Sequence, residues 1–193
     1  IVGSNNVAIT ALVFVSLAAL YLVYVTNIMS MEAAKRVNLG YAYTEYSPQK
    51  AAEYFSLALS VPFNLDPRET ANRYSDFAGK LLSMDDKKLT PDFIAGQLNK
   101  ATDNQRVITE KTKNDPLLWM RLALDEMSQS VISATPEEKL NMALSSIEKA
   151  IALAPKRVEL LQLKIQLDSY KKDWPDAVKI SEKIVEYNPF DPK

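Results

Sequence analysis

The chain has 193 residues, with 23 basic and 24 acidic side chains and neither cysteine nor histidine. That balance offers no basic footprint, so no nucleic-acid partner is expected. Without Cys there is no disulfide frame, and without His the commonest general base, the commonest metal ligand and every Cys–His or Ser–His nucleophile pair are gone, so no catalytic residue, metal or cofactor is assigned.

Residues 1–31 carry no charged side chain, and the first is Glu32. The run from Val7 to Ile28, VAITALVFVSLAALYLVYVTNI, has 22 uncharged residues. As a helix it rises about 33 Å, enough to cross a hydrocarbon core of about 30 Å. Thr10 and Ser16 return their hydroxyls to the preceding turn and so do not forbid insertion. Tyr21 and Tyr24 lie toward its C-terminal end, where amphipathic rings favour a membrane interface. The pattern predicts a transmembrane helix over 1–30, touching the bilayer through Val7 to Ile28; the alternative is a fully buried core helix. It does not read as a signal peptide, because it lacks a basic n-region and a small-x-small cleavage site and is too long. The chain begins at Ile1 rather than Met and is expected to be part of a longer protein, cut shortly before a span. Lys35 and Arg36 follow the span, and positive-inside logic puts the helical tail on the cytoplasmic side.

Beyond the span only helices are expected. Four glycines against abundant Ala, Leu, Lys and Glu point that way. Ser47-Pro48, Asp66-Pro67, Thr90-Pro91, Asp115-Pro116 and Thr135-Pro136 each set an oxygen-bearing cap before a proline suited to the first helical position, and Asp173-Trp174-Pro175 is a looser start. Glu69 and Glu138 complete capping-box spacing. The predicted helices cover 31–44, 48–60, 67–83, 91–112, 116–133, 136–154, 156–171 and 175–187. Ala51, Phe55 and Ala58 form one stripe, and Ala71, Tyr74, Ala78 and Leu81 another. Asp85-Asp86-Lys87-Lys88 reads as a solvated, self-neutralising turn rather than a catalytic acid pair. The helix over 91–112 has a polar centre, Thr102 to Gln105, and is expected to be the least tightly packed. Trp119, Met120 and Leu122 read as packing between helices, with an exposed docking ridge as the alternative. Packing on the next helix is expected of Tyr43, while Tyr41 and Tyr46 are open between that and the bilayer junction.

The last two hairpins are related at a fixed period. Ala143, Ile147, Ala150 and Pro155 recur 34 residues later as Ala177, Ser181, Ile184 and Pro189. This resembles the tetratricopeptide repeat, in which a small residue lets two helices approach and a proline closes the second helix. Ala51, Phe55 and Ala58, preceded by Leu39-Gly40 and Tyr43, look like an earlier copy, and Trp119 and Leu122 supply a Trp-x-x-Leu spacing. The connection between the helices over 116–133 and 136–154 reads as about eight residues too long for the consensus, and 67–113 matches poorly. The expected fold is all-α: an N-terminal transmembrane helix, then an α-solenoid of tetratricopeptide-like hairpins. The parts are 1–30 (span), 31–65 (first hairpin), 66–113 (divergent hairpin) and 114–193 (two repeats).

The order of parts carries a wider resemblance. An apolar span is followed by YTEYSPQKAAEYFSLALSVPFNLDPRETANRYSDFAGKLL, then NDPLLWMRLALDEM, then the repeats. This is similar to the C-terminal region of bacterial O-antigen ligase/polymerase-family membrane proteins with a tetratricopeptide tail. The resemblance implies a bacterial inner membrane, lipid-linked glycan transfer by the whole protein, and a catalytic region upstream of this chain. The chain itself then reads as a scaffold that binds a protein or peptide in the repeat groove, with Leu161, Ile165 and Asp168 facing that groove. A stand-alone single-pass adaptor is the alternative. An enzyme in its own right is the third reading and would need unusual Ser-Lys or carboxylate chemistry.

Overall fold

A computed structural model describes residues 2–62, 66–85 and 89–187, and every regular element among them is helical. Pro189 of the repeat, residues 63–65 of the connection after the first hairpin and Asp86 to Lys88 of the charged turn lie outside the described residues. The chain forms two compact units, Ile1–Thr70 and Ala71–Lys193.

In the first unit, α1 (Val2–Val23) passes through a π-helical turn (Tyr24–Met29) into α2 (Ser30–Tyr43) with helical backbone at both junctions. A wider turn shifts the carbonyl spacing. Polar side chains meet the carbonyls just before it: Thr26 Oγ1 donates to the Leu22 carbonyl at 2.8 Å and Asn27 Nδ2 to the Val23 carbonyl at 3.3 Å. Leu12, Phe14 and Leu20 are 67, 69 and 66 % exposed, so among the described residues of this unit nothing covers the helix as a core would. The helix is long and apolar enough to cross a membrane, and the buried-core alternative is not met.

A hairpin of α2 and α3 (Pro48–Leu59) follows. Ala51, Phe55 and Ala58 are fully buried. Gly40 makes their approach possible, because a Cβ there would stand 2.8 Å from the Phe55 ring. Tyr41 meets Phe55 edge-on at 5.5 Å and Tyr43 stacks on Tyr54 at 5.4 Å, while Tyr46 is exposed. For Gly40→Ala, overpacking of about 1–3 kcal/mol outweighs the roughly 1 kcal/mol gained in helix propensity. The substitution is expected to speed amide hydrogen exchange across α2 and α3 and to leave the second unit's exchange unchanged.

Of the second unit's helices, α4 (Pro67–Leu81) begins before the unit boundary; α5 (Pro91–Lys111), α6 (Pro116–Ser130), α7 (Pro136–Leu153), α8 (Val158–Tyr170) and α9 (Trp174–Tyr187) follow. The expected α4 stripe of Ala71, Tyr74, Ala78 and Leu81 is fully buried. Asp66, Thr90, Asp115 and Asp173 accept backbone amides at 3.0, 3.2, 2.9 and 3.4 Å and so act as caps. Ser47 and Thr135 do not cap with their side chains; the Thr135 amide instead donates to Ser133 Oγ at 3.0 Å.

Two expectations are corrected here. First, the polar centre of α5 is not loosely packed on one side: Thr102 and Gln105 within it, and Thr109 one turn further on, are completely buried, while Asp103 is exposed. The threonines bury cheaply by donating to their own helix, Thr102 to the Leu98 carbonyl at 2.9 Å and Thr109 to the Gln105 carbonyl at 2.8 Å. Second, no long loop separates α6 from α7. The connection is residues 131–135, and the extra length lies in the helices, 15 and 18 residues against 13 and 14 in α8 and α9.

A polar layer links α4, α5, α6 and α7. Tyr74 donates to Gln97 Oε1 at 2.6 Å, Ser75 to Asp125 Oδ2 at 2.7 Å, and Gln129 Nε2 to Asn99 Oδ1 at 2.8 Å. Glu126 accepts Arg106 at 3.1 Å and Ser146 at 2.7 Å. Burial pushes the Asp125 carboxyl up to about 7, against the pull of the Ser75 hydrogen bond and Arg121. Its folded value then exceeds its unfolded one, so the folded state holds the proton more tightly and loses stability as pH rises from about 4 to about 7. The loss is on the order of 4 kcal/mol, each pKa unit counting about 1.4 kcal/mol. Asp125→Asn, whose amide oxygen still accepts from Ser75, is expected to remove this slope and raise the denaturation midpoint at pH 8. An unchanged slope would locate the proton elsewhere.

Candidate functional site

Helices α6, α7 and α8 pack as their apolar spacing requires. Trp119, Leu122 and Ala123 of α6 join Ala143, Ile147 and Ala150 of α7 and Leu160, Leu163 and Leu167 of α8 in one buried cluster. Trp119 and Leu122 therefore pack between helices rather than forming an exposed ridge. The Trp119 indole donates to the Lys113 carbonyl at 2.8 Å, and Lys149 Nζ stands 4.4 Å above the ring. At the positions expected to repeat, Ala143 and Ala177 are both buried. Ile147 is buried, but its counterpart Ser181 is exposed and Ile180 turns inward instead.

Beside this core lies a cleft of about 180 Å³ between α7, α8 and α9. Ile151, Leu161 and Ile180 supply its apolar lining, and Lys179 and Lys183 stand along α9. Lys164 holds the three helices together. Its ammonium lies 2.9 and 3.0 Å from the two oxygens of Asp168, 2.8 Å from Asp176 and 4.0 Å from Glu148. Burial acts to lower the Lys164 pKa, but the bonds from Asp176 and Asp168 outweigh it and hold it above the ordinary lysine value. Burial raises Asp168, with Lys164 opposing, whereas the Lys164 bond lowers Asp176. The Lys164 ammonium is thus engaged by carboxylates of its own helix and of the next.

Of the three residues expected to face a groove, Leu161 lines this cleft. Asp168 is buried in the Lys164 cluster and Ile165 is half-buried, and neither lines the cleft. Lys164 and Asp176, which complete the arrangement, escaped the sequence reading. The Lys164–Asp168 pair had a visible signal in its four-residue spacing; Asp176 had none, because it arrives from the next helix. Asp125, Glu126 and Gln129 also went unmarked, although they share helical spacing with Leu118, Leu122 and Trp119 and so fall on the buried side of α6. Among the described residues no cluster of acidic side chains has a metal-holding arrangement.

No known family model and no curated protein matches this chain.

Lys164→Met strands the buried Asp168 carboxylate and is expected to destabilise the second unit by about 3 kcal/mol. Adding Asp168→Leu should recover most of that loss. Denaturation followed by fluorescence from buried Trp119 reads both, and a harmless single substitution would show that the cluster is not what fastens α8 to its neighbours.

Proposed function

We propose that this chain is the final membrane span and the helical tail of a bacterial O-antigen ligase/polymerase-like protein of the inner membrane. In this reading the tail is a scaffold on the cytoplasmic side. Its hairpins stack as a tetratricopeptide-like solenoid, and it positions a protein or peptide partner for glycan transfer catalysed elsewhere in the full-length protein. The observation that carries the reading is the join: an exposed apolar helix continues without a break into α2, whose Gly40 receives Phe55 from α3. A helix with uncovered apolar sides is suited to lipid, and helix pairs closed through small residues are suited to repetition. The Lys164 cluster supports a binding role, since its one ammonium is held among three carboxylates of α7, α8 and α9.

The stand-alone adaptor is the second reading; it keeps the exposed apolar helix as a span and drops the glycan assignment. The coding frame upstream of Ile1 separates the two. Several further apolar spans, with Arg and His in a large loop between them, are expected. An initiator Met a few residues upstream would overturn the glycan assignment and leave the adaptor.

A further inference from the structure

The first unit contains a cleft of about 360 Å³ where the apolar helix gives way to charge. One of its sides is a single stripe of the continuous helix: Tyr24, Ile28, Glu32 and Arg36, at four-residue spacing. The stripe changes from apolar to ionic between Ile28 and Glu32, a rise of about 6 Å. The facing wall is the end of α3 and the residues after it, Ser60, Val61 and Pro62.

Arg36 is fixed in place. Its Nε donates to Glu32 Oε1 at 3.0 Å and one terminal nitrogen donates to the Leu57 carbonyl at 2.8 Å, at the C-terminal end of α3 where a cation is favoured. Ser60 Oγ donates to the same carbonyl at 2.9 Å. The second terminal nitrogen of Arg36 and Oε2 of Glu32 carry no hydrogen bond among the described residues. The cleft therefore presents an unused donor on a guanidinium and an unused acceptor on a carboxylate side by side, above an apolar wall.

We propose that this cleft is a lipid site for a zwitterionic phospholipid whose head carries a phosphate and a primary ammonium. The phosphate accepts from Arg36 and the hydroxyl of Ser60 lies beside it; the ammonium donates to Glu32 Oε2; the glycerol and upper chains lie against Ile28 and Tyr24. A purely anionic head would meet the Glu32 carboxylate, and a quaternary ammonium has no N–H to give it. The site goes beyond the scaffold role of the tail and shares with it only the reading of 7–28 as a span.

The test uses the full 193-residue chain in detergent micelles. Phosphatidylethanolamine, phosphatidylcholine and phosphatidylglycerol with identical acyl chains are added in equal amounts, and bound lipid is read by native mass spectrometry. The ethanolamine lipid is expected to be retained about tenfold over the other two, as one charge-assisted hydrogen bond implies. Glu32→Gln should erase its advantage over the choline lipid, and Arg36→Gln should weaken retention of all three. Circular dichroism and amide exchange in α3 report whether each variant keeps its fold; Glu32→Gln is isosteric and carries the test alone if Arg36→Gln opens the hairpin. Equal retention of the three lipids, or a preference that survives Glu32→Gln, overturns the site. A chain that also fails to enter vesicles of these lipids overturns the span as well, whereas loss of partner binding by the tail would leave the lipid result unchanged.

Discussion

An α-helix satisfies its own backbone, so the surroundings of an uncharged helix are decided by its side chains alone. That constraint shapes the first unit. From Ile9 to Val23 the first helix exposes leucine, valine and phenylalanine around its circumference, and among the described residues of its unit no other element is laid against it. Its backbone asks nothing of the surroundings while its surface asks for an apolar solvent. Because helix continues through the π turn into α2, whatever medium holds the apolar part also fixes the direction in which the α2–α3 hairpin sets out. Thr26 and Asn27 show how a polar pair is tolerated there: each bonds a carbonyl of the preceding turn.

The two units use different means to bring helices together. In the α2–α3 hairpin, packing is by shape: a glycine on one helix receives a phenylalanine from the other, and flanking tyrosines close the sides. The second unit combines an apolar cluster around Trp119, Ile147 and Leu160 with a polar layer through Asp125, Glu126 and Gln129. Buried polar groups are stabilising only when paired. Most of this layer is paired, but both polar atoms of the Gln105 side chain are buried without a hydrogen bond, a cost of about 1–3 kcal/mol that packing must offset. Directional bonds of this kind favour one helix register over another in a way that uniform apolar contact does not.

Lys164 shows how a charge can serve the same end. Three carboxylates from α7, α8 and α9 converge on one ammonium, so the helices that form the cleft are fastened at its edge. The juxtaposition leaves Leu161, Ile151 and Ile180 lining the cleft and Lys179 and Lys183 along its side. The proposed binding role rests on that division: the Lys164 ammonium is engaged, and the apolar lining is bordered by the lysines Lys179 and Lys183 and the carboxylates Glu148 and Asp176. The cleft at Glu32 and Arg36 differs, because there the ion pair leaves one donor and one acceptor unused.

Helix positions were legible in the sequence because capping and proline placement act within four residues. The stripe Ala71, Tyr74, Ala78, Leu81 and the trio Ala51, Phe55, Ala58 were legible because helical spacing alone puts such residues on one side, and each is fully buried. The absence of His and Cys was equally decisive for the chemistry considered. Tertiary structure decided the rest. Whether the polar centre of α5 faced water or protein depended on which helices lay beside it, and hydroxyl bonds to its own carbonyls made burial affordable. Asp176 became a partner of Lys164 only when α9 folded back across α8. The cleft at Glu32 and Arg36 required Arg36 to reach the end of α3, a contact between residues 21 apart. Local order is written in neighbouring residues; a site is made by groups that the chain brings together from a distance, and no spacing rule along the sequence encodes that meeting.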